Sequence, residues 1–183
     1  GYGADSGGVV SMTNLVSNAG VVATDTTGVG TARSGVGGCR YGTDTAIFAY
    51  GTTGSNVGMS NLVSNVGVVA SDVTGVGTVR RTLGACEYGG DKGIFGYGAA
   101  AGVLSMSNLV SNSGVIATDT TGVGTARRYL AACSYGGSSD KGIFGYGINA
   151  NVSMTNLVSN VGVVATDVTG VGTARSALAA CSY

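Results

Sequence analysis

The chain has 183 residues, 35 of them glycine, and it contains no proline, tryptophan or histidine. Charged residues make up 10% of it, against about 25% in an ordinary soluble domain, and nine basic residues balance nine acidic ones. These numbers argue against a nucleic-acid-binding surface, against any site that needs imidazole, against collagen and, with 44% hydrophobic residues, against a disordered chain.

Neither a secretory signal nor a membrane span is visible. No basic segment followed by an apolar run occurs near Gly1. Ser, Thr, Asn or Gly interrupts the apolar runs every few residues, so no stretch of 18 apolar residues exists. We therefore expect neither membrane insertion nor a nucleic-acid partner.

The dominant feature of the sequence is a fourfold repeat. The segment SMTNLVSN at residues 11–18 recurs almost unchanged at 58–65, 105–112 and 153–160. Its asparagines, Asn14, Asn61, Asn108 and Asn156, are 47, 47 and 48 residues apart. One Asp, one Arg and one Cys recur at the same spacing. A unit of this length is typical of propeller blades and helical solenoids, and its many Gly, Thr, Ser, Asn and Val residues are poor helix formers.

The elements of one unit are clearest between residues 127 and 173. In chain order, the predicted strands are 127–135, 141–147, 155–160 and 163–167. Gly136–Asp140 and Asn160–Gly162 are predicted turns, because Gly and Asn tolerate positive φ. A loop of variable sequence separates the second and third strands, and 169–173 leads into the next unit. Each unit is thus predicted to be a four-stranded antiparallel meander.

One such sheet cannot bury both of its faces, but sheets repeated around an axis bury each other. The sequence therefore predicts an all-β, single-domain β-propeller over residues 1–183. Three blades are expected at 33–79, 80–126 and 127–173. The fourth would be a composite of 1–32 and 174–183, and it lacks about seven residues that correspond to GGDKGIF. The alternatives are an excerpt of a longer array, or a subunit whose gap a neighbour fills, which would build rings or fibres.

The order of features within a unit resembles a kelch-type β-propeller blade. An Arg opens a strand and a Tyr closes it, a short hairpin follows, then an aliphatic-aromatic strand ending in Gly, an Asn-initiated hairpin and a return to Arg. Here this order runs from Arg80 through Tyr88, Gly98 and Asn108 to Arg127. The near-identical tandem copies also resemble repeat arrays of bacteriophage virion and tail-fibre-type proteins. The resemblance implies an extracellular or virion-borne protein.

Each unit has one cysteine, at Cys39, Cys86, Cys133 or Cys181. In a propeller these first-strand positions would surround the axis, so a soft-metal site or disulfides are conceivable. However, no CxxC spacing supports metal binding, and a disulfide needs Cα atoms within about 7 Å. We favour small buried side chains, and we expect no metal and no cofactor.

An Asp precedes and an Arg follows each TGVGTAR-type loop. Such a recurring carboxylate and guanidinium predict a structural salt bridge or a loop clamp in every blade. Four equivalent copies cannot provide the two different pKa values that acid–base catalysis needs at one place. The pairs are Asp25 with Arg33, Asp72 with Arg80, Asp119 with Arg127, and Asp167 with Arg175.

The copies differ most in the loops 4–9, 52–57, 99–104 and 148–152, which we call the variable loops. Loops on a rigid scaffold commonly hold recognition sites, although neutral drift would produce the same variation. The candidate binding residues are Asp5, Ser6, Thr52, Thr53, Ser55, Asn56, Asn149 and Asn151. The recurring tyrosines are interpreted as core residues, with sugar stacking as the alternative.

From the sequence we expect a non-enzymatic structural or adhesion module that contacts a glycan or a protein surface. One alternative is a subunit of an extracellular filament or larger homo-oligomeric assembly, joined through the incomplete blade. The other is a glycan-active enzyme, which would need an acidic pair unique to one blade. Glu87 is the only glutamate, and Asp5 and Asp44 are too far along the chain from it to be nominated as its partner.

Overall fold

The computed structural model describes residues 1–182, and every regular element in them is a β-strand. In chain order these are β1 (Gly3–Asp5), β2 (Gly8–Val10), β3 (Gly37–Tyr41), β4 (Thr45–Ala49), β5 (Ser60–Val63), β6 (Gly84–Tyr88), β7 (Lys92–Ala99), β8 (Val103–Val110), β9 (Ala131–Tyr135), β10 (Lys141–Gly145) and β11 (Thr155–Val158). They form three antiparallel sheets, β3–β4–β5, β6–β7–β8 and β9–β10–β11, and the pair β1–β2. The predicted all-β class is confirmed. No helix among these residues has the length and apolar character needed to span a bilayer.

The prediction of four-stranded sheets is wrong, because the fourth segment of each unit is not a continuous strand. A hairpin follows β5, and the segment after it pairs with β5 at two isolated bridges, Val63 with Val69 and Ser60 with Val73. Between these bridges, this returning segment is one residue longer than β5. Such an irregularity is of the β-bulge type, and it interrupts the ladder of hydrogen bonds. The units 80–126 and 127–173 show the same pattern.

The sheets follow one another in chain order, with β6 beside both β3 and β9. Among residues 1–182 no strand pairing joins the last sheet to the first, and residues 174–182 contain no strand. The closed ring with a composite fourth blade is therefore not seen in the described residues. Tyr183, the last residue of the strand expected there, lies outside them.

Aromatic rings hold neighbouring sheets together. Phe95 of β7 packs edge-on against Tyr50, with 5.6 Å between ring centroids, and Phe144 of β10 packs against Tyr97 at 5.2 Å. Both phenylalanines and both tyrosines are fully buried. Small residues make room for the rings: a Cβ built on Gly96 would lie 2.6 Å from the Phe144 ring. The glycine-rich strands thus allow the close approach of sheets that burial requires.

A row of backbone hydrogen bonds joins the segments that connect successive units. The amide of Thr82 donates to the carbonyl of Gly35, Tyr129 to Thr82, and Ala177 to Tyr129, at 2.8 to 3.0 Å. Thr82, Tyr129 and Ala177 have φ of 55°, 53° and 56°, a left-handed conformation that costs about 1–3 kcal/mol per residue. The surrounding bonds hold this conformation and so fix one unit to the next.

Candidate functional site

We call residues 33–79 repeat 1, 80–126 repeat 2 and 127–173 repeat 3. The antiparallel strands place the variable loops at one end of each sheet and the hairpin tips, such as 64–68, at the other. At the base of the variable loop in each of repeats 1 to 3, the backbone pairs with the segment that opens the same repeat, as Thr52 does with Ser34. Next to it, Gly51 donates to the carbonyl of Arg80, which opens the following repeat. The variable loops of repeats 1 to 3 are thus each held between two connecting segments.

Asn56 is the candidate binding residue with the most contacts. It is half-buried; its amide nitrogen donates to the Ala99 carbonyl at 3.3 Å, and its oxygen accepts from Arg81 Nη1 at 3.1 Å. Among the described residues, no other candidate has a side-chain hydrogen bond to a second repeat. Loop 52–57 is thereby tied to repeat 2.

The remaining candidates are more exposed. Asp5 accepts a hydrogen bond from the Gly7 amide at 2.7 Å, and Ser6 lies in the same turn. The Thr52 hydroxyl accepts from the Gly54 amide at 3.2 Å. The candidates whose side chains are exposed to solvent are Asp5, Ser6, Thr53, Ser55, Asn149 and Asn151. The structure therefore offers polar groups on several loops rather than one enclosed pocket.

A buried guanidinium lies at each junction between repeats. Arg80 is fully buried; its Nε donates to the Tyr97 carbonyl at 3.0 Å and its Nη2 to Asn108 Oδ1 at 2.7 Å. Nη1 donates to the Thr78 carbonyl at 3.2 Å, and the guanidinium lies 4.1 Å above the Tyr50 ring of the preceding repeat. Arg33 and Arg127 repeat this arrangement. We call it the arginine clamp.

An aspartate accepts hydrogen bonds from the asparagine and the threonine of each clamp. Asp119 accepts from the Thr78 amide at 3.0 Å, from the Thr78 hydroxyl at 2.7 Å and from Asn108 Nδ2 at 2.9 Å. Partial burial opposes ionisation, but the hydrogen bonds from Thr78 and Asn108 outweigh it and lower the pKa of Asp119 below its ordinary value. The same causes, with the corresponding Thr and Asn, lower the pKa of Asp72 and of Asp167.

In the clamp, the aspartate is not paired with the arginine that follows it at the end of the same loop. Asp72 Oδ1 lies 3.8 Å from Nη1 of Arg33, which opens its own repeat, and Asp167 lies 4.0 Å from Arg127. The carboxylate thus faces the arginine about 40 residues before it rather than the one eight residues after it. Asp25 accepts from Asn14 at 2.8 Å, and the exposed Arg175 lies 4.0 Å above the Tyr146 ring.

Sugar stacking was the alternative role of the recurring tyrosines, but those that follow the second strands are part of the clamp. Tyr50, Tyr97 and Tyr146 all have φ near 60° and donate their hydroxyls to valine carbonyls at 3.0 to 3.1 Å. Tyr50 and Tyr97 are fully buried between a phenylalanine and a guanidinium. Their ring faces are therefore not open to a ligand.

Two of the four thiols pack on glycines of the following sheet. A Cβ built on Gly93 would lie 2.6 Å from Cys39 Sγ, and one built on Gly142 would lie 2.6 Å from Cys86 Sγ. Burial raises the pKa of Cys39, and it raises the pKa of Cys86 to about 12. All four cysteines are free, and no group of three or more His, Cys, Asp or Glu residues within 1–182 could hold a metal ion.

A row of side chains that the sequence reasoning did not nominate crosses the first strands. Arg40 Nε lies 3.2 Å from Glu87 Oε1, and Ser134 Oγ lies 2.9 Å from Ser182 Oγ. These four residues follow the cysteine in their repeats, and with the cysteines they line a groove of about 220 Å³. The signal in the sequence was this one variable position inside an otherwise repeated strand.

Comparison of the chain with protein-family models and with curated proteins finds no match. Its function is therefore inferred from the geometry. Within the described residues the clamp uses most of the formally charged groups of the repeat junctions, two thiols are packed against glycine, and three of the four variable loops keep exposed polar side chains.

Proposed function

We propose that this chain is a non-enzymatic adhesion module, borne on a virion or another extracellular surface, that binds a glycan or a protein through its variable loops. The observation behind the proposal is the contrast between loop and scaffold. The scaffold repeats nearly identical residues and bonds, whereas Thr53, Ser55 and Asn149 belong to loops that differ in every copy and expose polar side chains. Recognition surfaces are commonly built this way.

The environment of the acidic residues supports a binding role over an enzymatic one. The carboxylates of the clamp accept hydrogen bonds from Thr and Asn side chains of the scaffold. Glu87 is buried, and within residues 1–182 its ion-pair partner is Arg40 rather than a second carboxylate with which it could share acid and base roles. Neither arrangement presents an acid–base pair to a substrate.

We further propose that the repeats are blades arranged as in kelch-like propellers, with their first strands innermost. The groove that contains residues of β3, β6, β9 and segment 180–182 supports this, since first strands that surround an axis would line one channel. Small-angle X-ray scattering tests it. A radius of gyration that matches strands grouped around an axis supports the arrangement, and the larger value of a straight stack overturns it.

Binding is tested with the 183-residue chain on a printed panel of oligosaccharides and in capture assays with purified surface proteins. The double variant Thr53→Ala/Ser55→Ala removes two exposed hydroxyls from one variable loop. We expect its binding to fall several-fold with an unchanged melting temperature. Val66→Ser alters a hairpin tip at the other end of the sheet, where Val66 is 70% exposed, and serves as the control. Equal losses in both variants, or no binding to any panel, would contradict the proposal.

A further inference from the structure

Repeats 1 and 3 each have a cleft between the variable loop and the returning segment of the same repeat. The cleft of repeat 1 has a volume of about 510 Å³, and its lining includes Asn56, Met59, Val73 and Thr74. That of repeat 3 has about 450 Å³, and its lining includes Asn151, Met154, Val168 and Thr169. These residues occupy equivalent positions, but the Asn56 side chain is already bonded to Ala99 and Arg81.

Two positions that line the clefts change together from repeat to repeat. Asn56 lies in one cleft with Val73, and Asn151 lies in the other with Val168. In repeat 2 the corresponding residues are Val103 and Thr120, and in segment 1–32 they are Val9 and Thr26. The amide therefore alternates along the array, always with valine as its partner, and the copies that lack it have valine and threonine instead.

The cleft of repeat 3 combines free hydrogen-bonding groups with an apolar surface. The side chains of Asn151 and Thr169 make no hydrogen bond within residues 1–182, and Val168 is 45% exposed. Asp167, at the edge of the cleft, already accepts hydrogen bonds from Thr125 and Asn156. Its charge also faces the buried Arg127 at 4.0 Å. The cleft thus offers an amide, a hydroxyl and a valine, with its one carboxylate already bonded.

We propose that the clefts of repeats 1 and 3 each bind one neutral sugar unit. The amide of Asn151 exchanges hydrogen bonds with sugar hydroxyls, and Asn56 does so with the N–H and the oxygen lone pair that Ala99 and Arg81 leave unused. Val168 or Val73 contacts the apolar face of the ring. A sugar ring has both kinds of surface, and small-ligand sites typically join an apolar wall to a few polar groups. This proposal rests on the proposed function and narrows it to saccharides without charge.

The proposal predicts two binding sites per chain. A panel of neutral glucan, mannan and galactan oligosaccharides identifies a binder, and calorimetry with its shortest bound fragment counts the sites. We expect two sites in the natural chain, one in Asn151→Val, and none in Asn56→Val/Asn151→Val. Valine is the residue that repeat 2 has at this position, so the change is compatible with the fold. Since Asn56 also bonds to repeat 2, Asn151→Val is the decisive single variant.

The converse variant is Val103→Asn/Thr120→Val, which gives repeat 2 the residues of its neighbours. We expect it to raise the count from two sites to three. Circular dichroism and melting temperature verify folding in each case. Unchanged stoichiometry in the asparagine variants, a preference for acidic sugars, or binding of peptides alone would overturn the proposal. If Thr53→Ala/Ser55→Ala loses binding while the valine variants keep it, the loop function stands and the cleft proposal fails. If nothing binds, both fail.

Discussion

Arg80 shows how one side chain can satisfy two repeats at once. Its guanidinium lies over the Tyr50 ring of repeat 1 and donates a hydrogen bond to the Asn108 amide oxygen of repeat 2. The side chain is fully buried. Burial lowers the pKa of Arg80, but arginine stays charged because its ordinary pKa is far above neutrality. A buried charge is tolerable only with such complete hydrogen bonding.

Arg80→Ala removes this charge and leaves Asn108 and three carbonyl groups without their donor. We expect the free energy of unfolding to fall by about 3–5 kcal/mol, because each buried acceptor left without a donor costs about 1–3 kcal/mol and the removed side chain leaves a cavity. Arg175→Ala changes the equivalent but exposed arginine, and we expect a loss below about 1 kcal/mol. Urea denaturation of both variants measures the difference. Similar losses would show that the clamp does not depend on burial.

The lowered pKa values of Asp72, Asp119 and Asp167 predict sensitivity to acid. A carboxyl whose pKa is lower in the folded chain contributes stability at a pH above its unfolded pKa, and this contribution is lost as the pH falls through the folded pKa. We expect the melting temperature to drop below about pH 4. Asp119→Asn should be less stable at neutral pH and should lose less on acidification. Asp25→Asn should follow the natural chain, because within residues 1–182 the Asp25 side chain accepts a hydrogen bond from Asn14 alone.

The sequence could predict that Asp and Arg recur, but it could not predict which copies meet. Along the chain Asp72 is close to Arg80, yet in space it faces Arg33. The reason is that the threonine and arginine of one connecting segment dock on the following hairpin, and a contact over about 40 residues has no local signature. The positive φ of Tyr50 and Tyr97 was equally hidden, because tyrosine gives no turn signal.

At the scale of strands, the pairing of cysteine with glycine explains a difference between repeats. Gly93 and Gly142 face the thiols of Cys39 and Cys86. Repeats 2 and 3 thus have glycine where the sulfur of the preceding sheet must fit, and repeat 1 has Ala46 at the equivalent position.

Gly142→Ala would place a methyl group 2.6 Å from Cys86 Sγ, so we expect it to destabilise the fold by about 1–3 kcal/mol. The double variant Cys86→Ala/Gly142→Ala shortens the opposing side chain and should regain most of the loss. Thermal and urea unfolding compare the two proteins. A double variant no more stable than Gly142→Ala would mean that the thiol is not the obstacle.

The strands of the third unit show where sequence patterns were sufficient. β9, β10 and β11 lie within the ranges 127–135, 141–147 and 155–160 that alternation and turn residues predicted. The range 163–167 has the same kind of residues but meets β11 only at isolated bridges. The mismatch of one residue between the bridges depends on the pairing of two segments, and the composition of either segment alone cannot reveal it.

At the scale of the whole molecule, protection from solvent increases toward the middle of the array. β7 of repeat 2 has seven buried residues out of eight, whereas β10 of repeat 3 alternates with exposed or half-buried ones. The middle sheet is covered on both faces, as the requirement for neighbouring sheets predicted from the sequence. Whether the array curves into a ring was beyond the sequence, since the angle between sheets depends on packing.

One thiol per repeat allows this gradient to be measured. Cys181 is exposed, Cys39 and Cys133 are half-buried, and Cys86 is buried. Burial raises the pKa of the thiols of Cys39, Cys86 and Cys133. In native buffer near pH 8, we expect a disulfide reagent to modify Cys181 first and Cys39 and Cys133 more slowly. Cys86 should react only at the rate of unfolding, because burial blocks the reagent and the thiolate is the reactive form. Peptide mass spectrometry assigns the sites, and four equal rates would refute the gradient.

Because of the arginine clamp, such a chain can gain or lose whole repeats without losing a joint. Each joint takes its tyrosine from one copy and its asparagine and aspartate from the next, so a DNA segment encoding 47 residues can be duplicated or deleted in phase and every new joint is chemically complete. Unequal recombination between the near-identical copies would therefore yield foldable products rather than broken ones. Arrays with different copy numbers should be accessible to closely related genomes, with the loop sequences free to diverge after each duplication.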